Sequence, residues 1–315
     1  MTTSIDRVLR SNLKLKHLQL LVALDQLRHL GRTAEFLSVS QPAVSKMLGE
    51  IERMFGVTLF ERSTKGTEPT PTGHTVIRFA RHVIAEYEKT SDALKLAESG
   101  AEGRVNVGAM VVAIPGLLTQ AIQLFKQNMP AAKVQVEEGD LTRLLPRLRI
   151  GELDLIVGRL EPGYAAPDLQ TEVLFKDGMC LICSPKNPIA STKRLTWADL
   201  QHQRWVMPPP WATSRTKLHQ LFYKNRLDPP TDYVETASLL VTLTQMQTLD
   251  AIGFVASNVA QYLQAQGLAF VLPVKLSMDL PPIGIITLSG KYKTPTEQAL
   301  SATLRQVVDT KGLLG

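Results

Sequence analysis

Cysteine is scarce, with two residues in 315, and this excludes a disulfide framework. The two form Cys180-x-x-Cys183, a spacing that could serve as a redox pair or half of a zinc site. However, Met179 to Cys183 is an apolar run with strand character, and residues three apart in a strand point to opposite faces. No second pair and no histidine cluster accompanies it, so the expectation is a structural role and no metal. No run of about 18 apolar residues occurs, and no membrane span or membrane partner is expected. Met1 to Asn12 carries Arg7 and Arg10 but neither an apolar core nor a small-residue cleavage site. The reading is no signal peptide and a cytoplasmic protein. Also missing are a nucleophile elbow, a P-loop, a dinucleotide fingerprint and metal-spaced histidines. His202 and His219 stand apart from any obvious acid or nucleophile. These absences argue against an enzyme and against a bound cofactor.

What is present is enough apolar sequence, 44%, to bury proper cores, over a length that suits two or three domains. The net charge of +6 is uneven. Residues 1–82 hold 12 Lys/Arg against 7 Asp/Glu, whereas residues 83–315 hold 23 against 22. Four of six histidines also lie in the first part. A basic excess at one end is what a nucleic-acid-binding module requires.

Within that end, Arg32 to Arg53 reads as two helices and a turn. Arg32 to Leu37 is a short helix and Ser38-Val39 the turn. Ser40 can cap the next helix, and Pro42 in its first turn loses no hydrogen bond. At about 100° per residue, Val44, Leu48, Ile51 and Phe55 form one stripe. Pro42, Lys46, Gly49 and Arg53 fall opposite, with Gln41 and Ser45 on the flank. An ordinary amphipathic hairpin would show the same stripe. The residues beyond Phe55 favour a helix-turn-helix whose second helix enters a DNA major groove. Leu59 to Arg62, a polar turn Ser63 to Gly66 and a strand Thr67 to Thr72 form a hairpin wing, with Arg62 and Lys65 near its tip. Leu15 to Leu27 is an opening helix that packs on the stripe.

The residues His17-Leu18-Gln19, Ser40-Gln41-Pro42-Ala43-Val44-Ser45, Leu59-Phe60-Glu61-Arg62 and Thr70-Pro71-Thr72-Gly73 resemble the winged helix-turn-helix of LysR-type transcriptional regulators. Four ordered motifs over some 55 residues are more specific than one short pattern. The chain departs from the family in having Thr33-Ala34 where many members have two alanines. The resemblance extends to the subgroup near galactose-binding-protein and protocatechuate regulators.

Thr75 to Ala97 is a long helix without Gly or Pro. Ile77, Ala80, Ile84, Tyr87, Ser91 and Leu94 repeat at alternating spacings of three and four, the seam of a coiled coil. The expectation is a dimerisation helix, and the resemblance implies the family's linker helix. Ser99 to Gly103 reads as a hinge. From Val105 on, strands and helices alternate. Val105 to Gly108, Pro115 to Gln127, Val134 to Val136, Leu141 to Ile150 and Leu153 to Gly158 predict an open α/β sheet. A second alternation runs from Met179 to about Phe254. Ile283 to Thr287 then rejoins the first sheet, and Pro295 to Asp309 closes the chain. The expected fold is α/β: a winged helix-turn-helix (1–73), a linker helix (74–98), a hinge (99–103) and a two-lobed effector domain (104–315). Lobe I covers about 104–178 and 283–315, and lobe II about 179–282. Gly151 to Ile156 is the element of this part that looks like the family, whose effector domain resembles periplasmic solute-binding proteins.

Such folds bind small ligands at the strands' C-terminal ends. The candidates are Met110, Val111 and Val112 after the first strand, Thr142 after the second, and Pro208, Trp211, Arg215 and Ser238 in the second lobe. Ser214 could cap a helix beginning at Arg215, whose planar cation suits a small organic anion with an apolar or ring portion. DNA contacts are expected from Arg32, Ser40, Gln41, Pro42, Ser45, Lys46, Arg53, Arg62 and Lys65. Gln41 is suited to adenine, and the cations to phosphates or the minor groove. The resemblance implies double-stranded DNA at a promoter-proximal interrupted palindrome, a homodimer or homotetramer, and contact with RNA polymerase. The other readings are a cytoplasmic solute-binding protein or an α/β enzyme.

Overall fold

The computed structural model describes residues 13–63, 66–99, 103–192 and 194–311. Two units emerge, one drawn from residues 1–103 and 145–153, the other from 104–144 and 154–315.

The first unit is built on α1 (Leu15–Leu27), α2 (Leu30–Phe36) and α3 (Gln41–Phe55). Helix α3 starts where expected, with Ser40 Oγ accepting from the Ala43 amide at 3.4 Å. It stops at Gly56, which is left-handed at φ 70°. Val44, Leu48 and Ile51 are buried against Leu18, Leu20, Leu21 and Leu24 of α1. The wing is β1 (Phe60–Ser63) paired antiparallel with β2 (Gly66–Pro69). Glu52 Oε1 accepts from the amides of Leu59 (2.7 Å) and Phe60 (3.2 Å), which fixes the wing to the end of α3.

The second wing strand is shorter than expected, ending at Pro69, and α4 (Pro71–Ser99) starts four residues early. Pro71 suits a first helical turn because its missing N–H would be unbonded anyway. Thr70 Oγ1 accepts from the Gly73 amide at 2.9 Å and donates to Thr58 O at 2.9 Å. Gly73 is required here, since a Cβ would come 2.0 Å from Leu59 O. The start of α4 differs from the expected seam in a second way. Ile77 and Ala80 are buried in the unit's own core, with Ile84 packed partly against it. Tyr87 and Leu94 remain exposed. The apolar stripe is therefore continuous in sequence but divided between two environments. Residues 100–102 of the expected hinge lie outside the described residues.

The second unit holds two five-stranded sheets. The strands of the first are β3 (Arg104–Ala109), β4 (Lys133–Glu138), β5 (Leu155–Arg159), β6 (Leu169–Phe175) and β12 (Ile283–Leu288). Their order is β4-β3-β5-β12-β6. Strand β3 runs parallel to β4 and β5, while β12 returns antiparallel between β5 and β6. The second sheet uses β7 (Met179–Cys183), β8 (Trp205–Met207), β9 (Tyr233–Glu235), β10 (Ile252–Ala256) and β11 (Phe270–Val271). Their order is β11-β7-β10-β8-β9. Helices α5 (Thr119–Asn128), α6 (Leu141–Arg149), α7 (Trp197–Gln201), α8 (Thr213–Lys224), α9 (Leu239–Thr248), α10 (Ser257–Ala265) and α11 (Pro295–Lys311) connect or flank the strands.

Strands β6 and β11 and helix α10 are absent from the sequence reading. Edge strand β6 mixes polar and apolar residues, with Val173 exposed. The expected helix from Pro115 is preceded by a 3-10 turn (Val111–Ala113) and a π turn (Ile114–Leu118). Pro115 cannot donate a helical hydrogen bond, and the wider turn accommodates it. In the second sheet, Phe222 meets Trp197 and Trp205 edge-on, at ring separations of 5.1 and 5.5 Å. Cys180 and Cys183 are free thiols on β7. Burial pushes Cys183 up to about 11, and Cys180 Sγ lies 3.4 Å from Ser257 Oγ.

Candidate nucleic-acid interface and ligand cavity

The outward face of α3 is polar because its inward stripe consumes the apolar residues. Ser40, Gln41, Pro42, Lys46 and Arg53 are exposed and Ser45 is half-buried. Arg53 Nε donates to Gly49 O at 3.1 Å, which lays the side chain along the helix. The preceding helix is held by His29, whose Nδ1 accepts from the amides of Gly31 (3.1 Å) and Arg32 (3.3 Å). This leaves Arg32 exposed at its first turn. Thr33, the departure from the family's two alanines, is fully buried and donates to His29 O at 2.9 Å. Ser38 makes the turn in a left-handed conformation at φ 54°. Lys65 and the side chain of Arg62 lie outside the described residues.

The second unit contains a cavity of about 470 Å³. This is within the range of small-molecule sites. Strand ends from both sheets build it. Met110, Val111 and Val112 follow β3, Glu138 ends β4, and Gly139 to Leu141 follow it. Arg159 and Glu161 end β5, Val206 to Pro209 end β8, and Thr236 to Ser238 follow β9. Trp211 to Ser214 enter from the start of α8. Six of the eight expected ligand residues therefore line it: Met110, Val111, Val112, Pro208, Trp211 and Ser238. The Ser238 oxygen already caps α9, accepting from Val241 N at 3.3 Å.

Two expectations need correction. Thr142 does not line the cavity, and its hydroxyl is turned to Asp140 Oδ1. Arg215 is absent from the lining as well. It is 6% exposed, with Nε donating to His219 Nε2 at 2.7 Å and Nη1 to Pro208 O at 2.9 Å. Its guanidinium carbon stacks 4.6 Å from the Tyr233 ring centroid. The helix starts at Thr213, two residues earlier than read, so Arg215 falls on its inner face. Neither Ser214 nor Ala212 caps the helix with a side chain, and Ala212 holds the cap position. His219 lies below its ordinary pKa through burial and then the adjacent Arg215 charge, in keeping with its role as a neutral acceptor.

The cation that the sequence reading missed is Arg159. It is the last residue of the buried strand β5, and a charge at the C-terminal end of such a strand was the available signal. Arg143 also lines the cavity, from an exposed position, and the carboxylates are Glu138, Asp140 and Glu161. Glu161 Oε2 accepts from Thr213 Oγ1 at 3.0 Å. Among the described residues, no group of acidic, histidine or cysteine side chains could hold a metal.

A winged helix-turn-helix and a cavity-bearing α/β unit in one chain define a class: a DNA-binding regulator with an effector domain. Comparison with known proteins agrees. Residues 15–74 match the bacterial regulatory helix-turn-helix proteins of the lysR family, and residues 98–309 match the LysR substrate binding domain. The chain is 32% identical to the HTH-type transcriptional regulator GbpR of Azospirillum brasilense, over 96% of this chain and 89% of that protein. It is 30% identical to the HTH-type transcriptional regulator GalR of Pseudomonas putida, over 93% and 74%. In structure it resembles CbnR, a LysR family transcriptional regulator, with TM-score 0.73 at 18% identity, covering 94% of this chain and 99% of that one. The protein belongs to the LysR family of transcriptional regulators. Its families and relatives are DNA-binding regulators, not enzymes.

Proposed function

We propose that the protein binds double-stranded DNA at a promoter-proximal interrupted palindrome as a homodimer or homotetramer, acting in the cytoplasm and in contact with RNA polymerase. The observation that carries this reading is the polar face of α3, where exposed Lys46 lies opposite a buried stripe, flanked by exposed Gln41 and half-buried Ser45. Gln41 meets a base edge, while Arg32, Arg53, Arg62 and Lys65 take phosphates or the adjacent minor groove. A small organic anion in the cavity biases the protein between conformations and so changes transcription. CbnR supports the DNA part of this reading, having been solved in complex with its target DNA.

Residues 74–98 act as linker and dimerisation helix in this reading, and 99–103 as hinge. Tyr87 and Leu94 are the seam residues open to a partner, since Ile77 and Ala80 are already used and Ile84 is partly so. Leu94→Asp places a charge in the seam without touching the unit's own core. Sedimentation should show smaller species, and a gel shift with the chain's own upstream DNA should weaken because two heads no longer bind together. An unchanged oligomer would assign the interface elsewhere, and no shift with the unaltered protein would sink the operator reading.

A further inference from the structure

Arg159 is 6% exposed and lines the cavity. Its Nη1 donates to Asp177 O (3.1 Å) and Pro281 O (2.8 Å). Its Nη2 donates to Gly178 O (3.4 Å) and reaches Met179 Sδ at 3.9 Å. All of these acceptors are neutral. Among the described residues the Nε–H has no acceptor and the guanidinium no ion pair. A buried cation whose direct partners are all neutral is costly, and a guanidinium cannot escape by losing its proton. Burial holds Arg159 below its usual pKa despite the nearby charges of Asp177 and Glu161. The Asp177 carboxyl is itself raised by burial.

A second feature faces the same space. Helix α8 has no side-chain cap, and the amides of Thr213 and Ser214 make no hydrogen bond within the described residues. Both residues line the cavity. The Glu161–Thr213 hydrogen bond ties the segment after Arg159 to this first turn. An unpaired guanidinium N–H and an open helix start are together suited to an anion.

We propose, resting on the regulator reading above, that the effector is a small monocarboxylate bearing hydroxyl groups on an apolar body, its carboxylate held by Arg159 and the first turn of α8. One charge is specified because Glu138, Asp140 and Glu161 outnumber Arg143 and Arg159, so a second anionic group would meet carboxylates. Hydroxyls are specified because those carboxylates accept hydrogen bonds and repel further acceptors. Met110, Val112, Phe254 and Leu280 supply the apolar wall. Arg215 is excluded as the anchor because it does not line the cavity, its Nε and Nη1 being engaged by His219 and Pro208 O.

The test is calorimetry on the full chain with gluconate, 3-hydroxybutyrate and 4-hydroxybenzoate, each paired with its amide, and with the dianion 4-hydroxyphthalate. At least one monoacid should bind about tenfold or more tighter than its amide and than the dianion, a difference of roughly 1.4 kcal/mol. Arg159→Lys should lose that preference, because a point charge cannot present the same fork. Binding of acids and amides alike, binding of no acid, or a folded Lys variant that keeps the preference would each overturn the proposal. If the Lys variant does not fold, Thr213→Pro is compared with Thr213→Val. Proline is tolerated at the first helical position and removes only the amide donor relative to valine. The Pro variant should bind the acid about tenfold more weakly than the Val variant. Equal binding would count against the site. A gel shift on the unaltered chain reads the regulator function separately, so DNA binding without acid binding would remove the anion assignment alone.

Discussion

The two units place their functional groups by opposite means. In the first, the groups proposed to meet base edges come from one continuous stretch, Ser40 to Lys46, and one helix orients them. Local devices hold that helix: the Ser40 cap, the Gly56 stop and the Glu52 carboxylate on the wing amides. In the second, the cavity takes residues from Met110 to Leu280, and no single element carries more than a few. Its geometry depends on long-range sheet pairing, such as β12 returning between β5 and β6. A site written on one helix survives if that helix forms. A site assembled from many strand ends survives only if the whole sheet does.

Substitutions in each unit sharpen this contrast. Phe222→Ala should have the largest effect, because Phe222 is fully buried between Trp197 and Trp205. The expected loss is about 3–5 kcal/mol in a denaturant melt, with ligand binding lost although Phe222 does not line the cavity. A melt unchanged within about 1 kcal/mol would mean the second sheet repacks freely. Gly73→Ala should follow at about 3 kcal/mol, since a Cβ meets the Leu59 carbonyl at 2.0 Å. Alanine's helix propensity recovers only about 1 kcal/mol of that. DNA affinity should fall with it, because Leu59 leads into the wing. A variant as stable as wild type would show that the wing can move away from α4.

The same contrast explains what the sequence revealed. The cap at Ser40, the stripe of Val44, Leu48 and Ile51, and the stop at Gly56 are short-range features, and all were legible. So were the return of Ile283 to Thr287 to the first sheet and six cavity residues, because strand ends are where open α/β sheets bind ligands. Arg215 was misplaced by a helix start two residues early, and that shift alone turns a side chain by about 200°. Arg159 was overlooked because its burial beside the cavity, bonded directly only to neutral groups, is a three-dimensional fact. Ile77 and Ala80 fit a coiled-coil spacing, yet a helix that packs on its own unit shows the same spacing.

The proposed role of α3 in reading bases is tested most directly at Gln41. Base preference should be measured across every position of the bound site for the wild type and for Gln41→Ala, at fixed salt. Gln41 is exposed at the first position of α3, so its loss should leave the fold intact. Discrimination should weaken at one base position per half-site, by about 1–3 kcal/mol, while the other positions keep their preferences. An unchanged preference at every position would contradict this and take α3 out of the role of recognition helix.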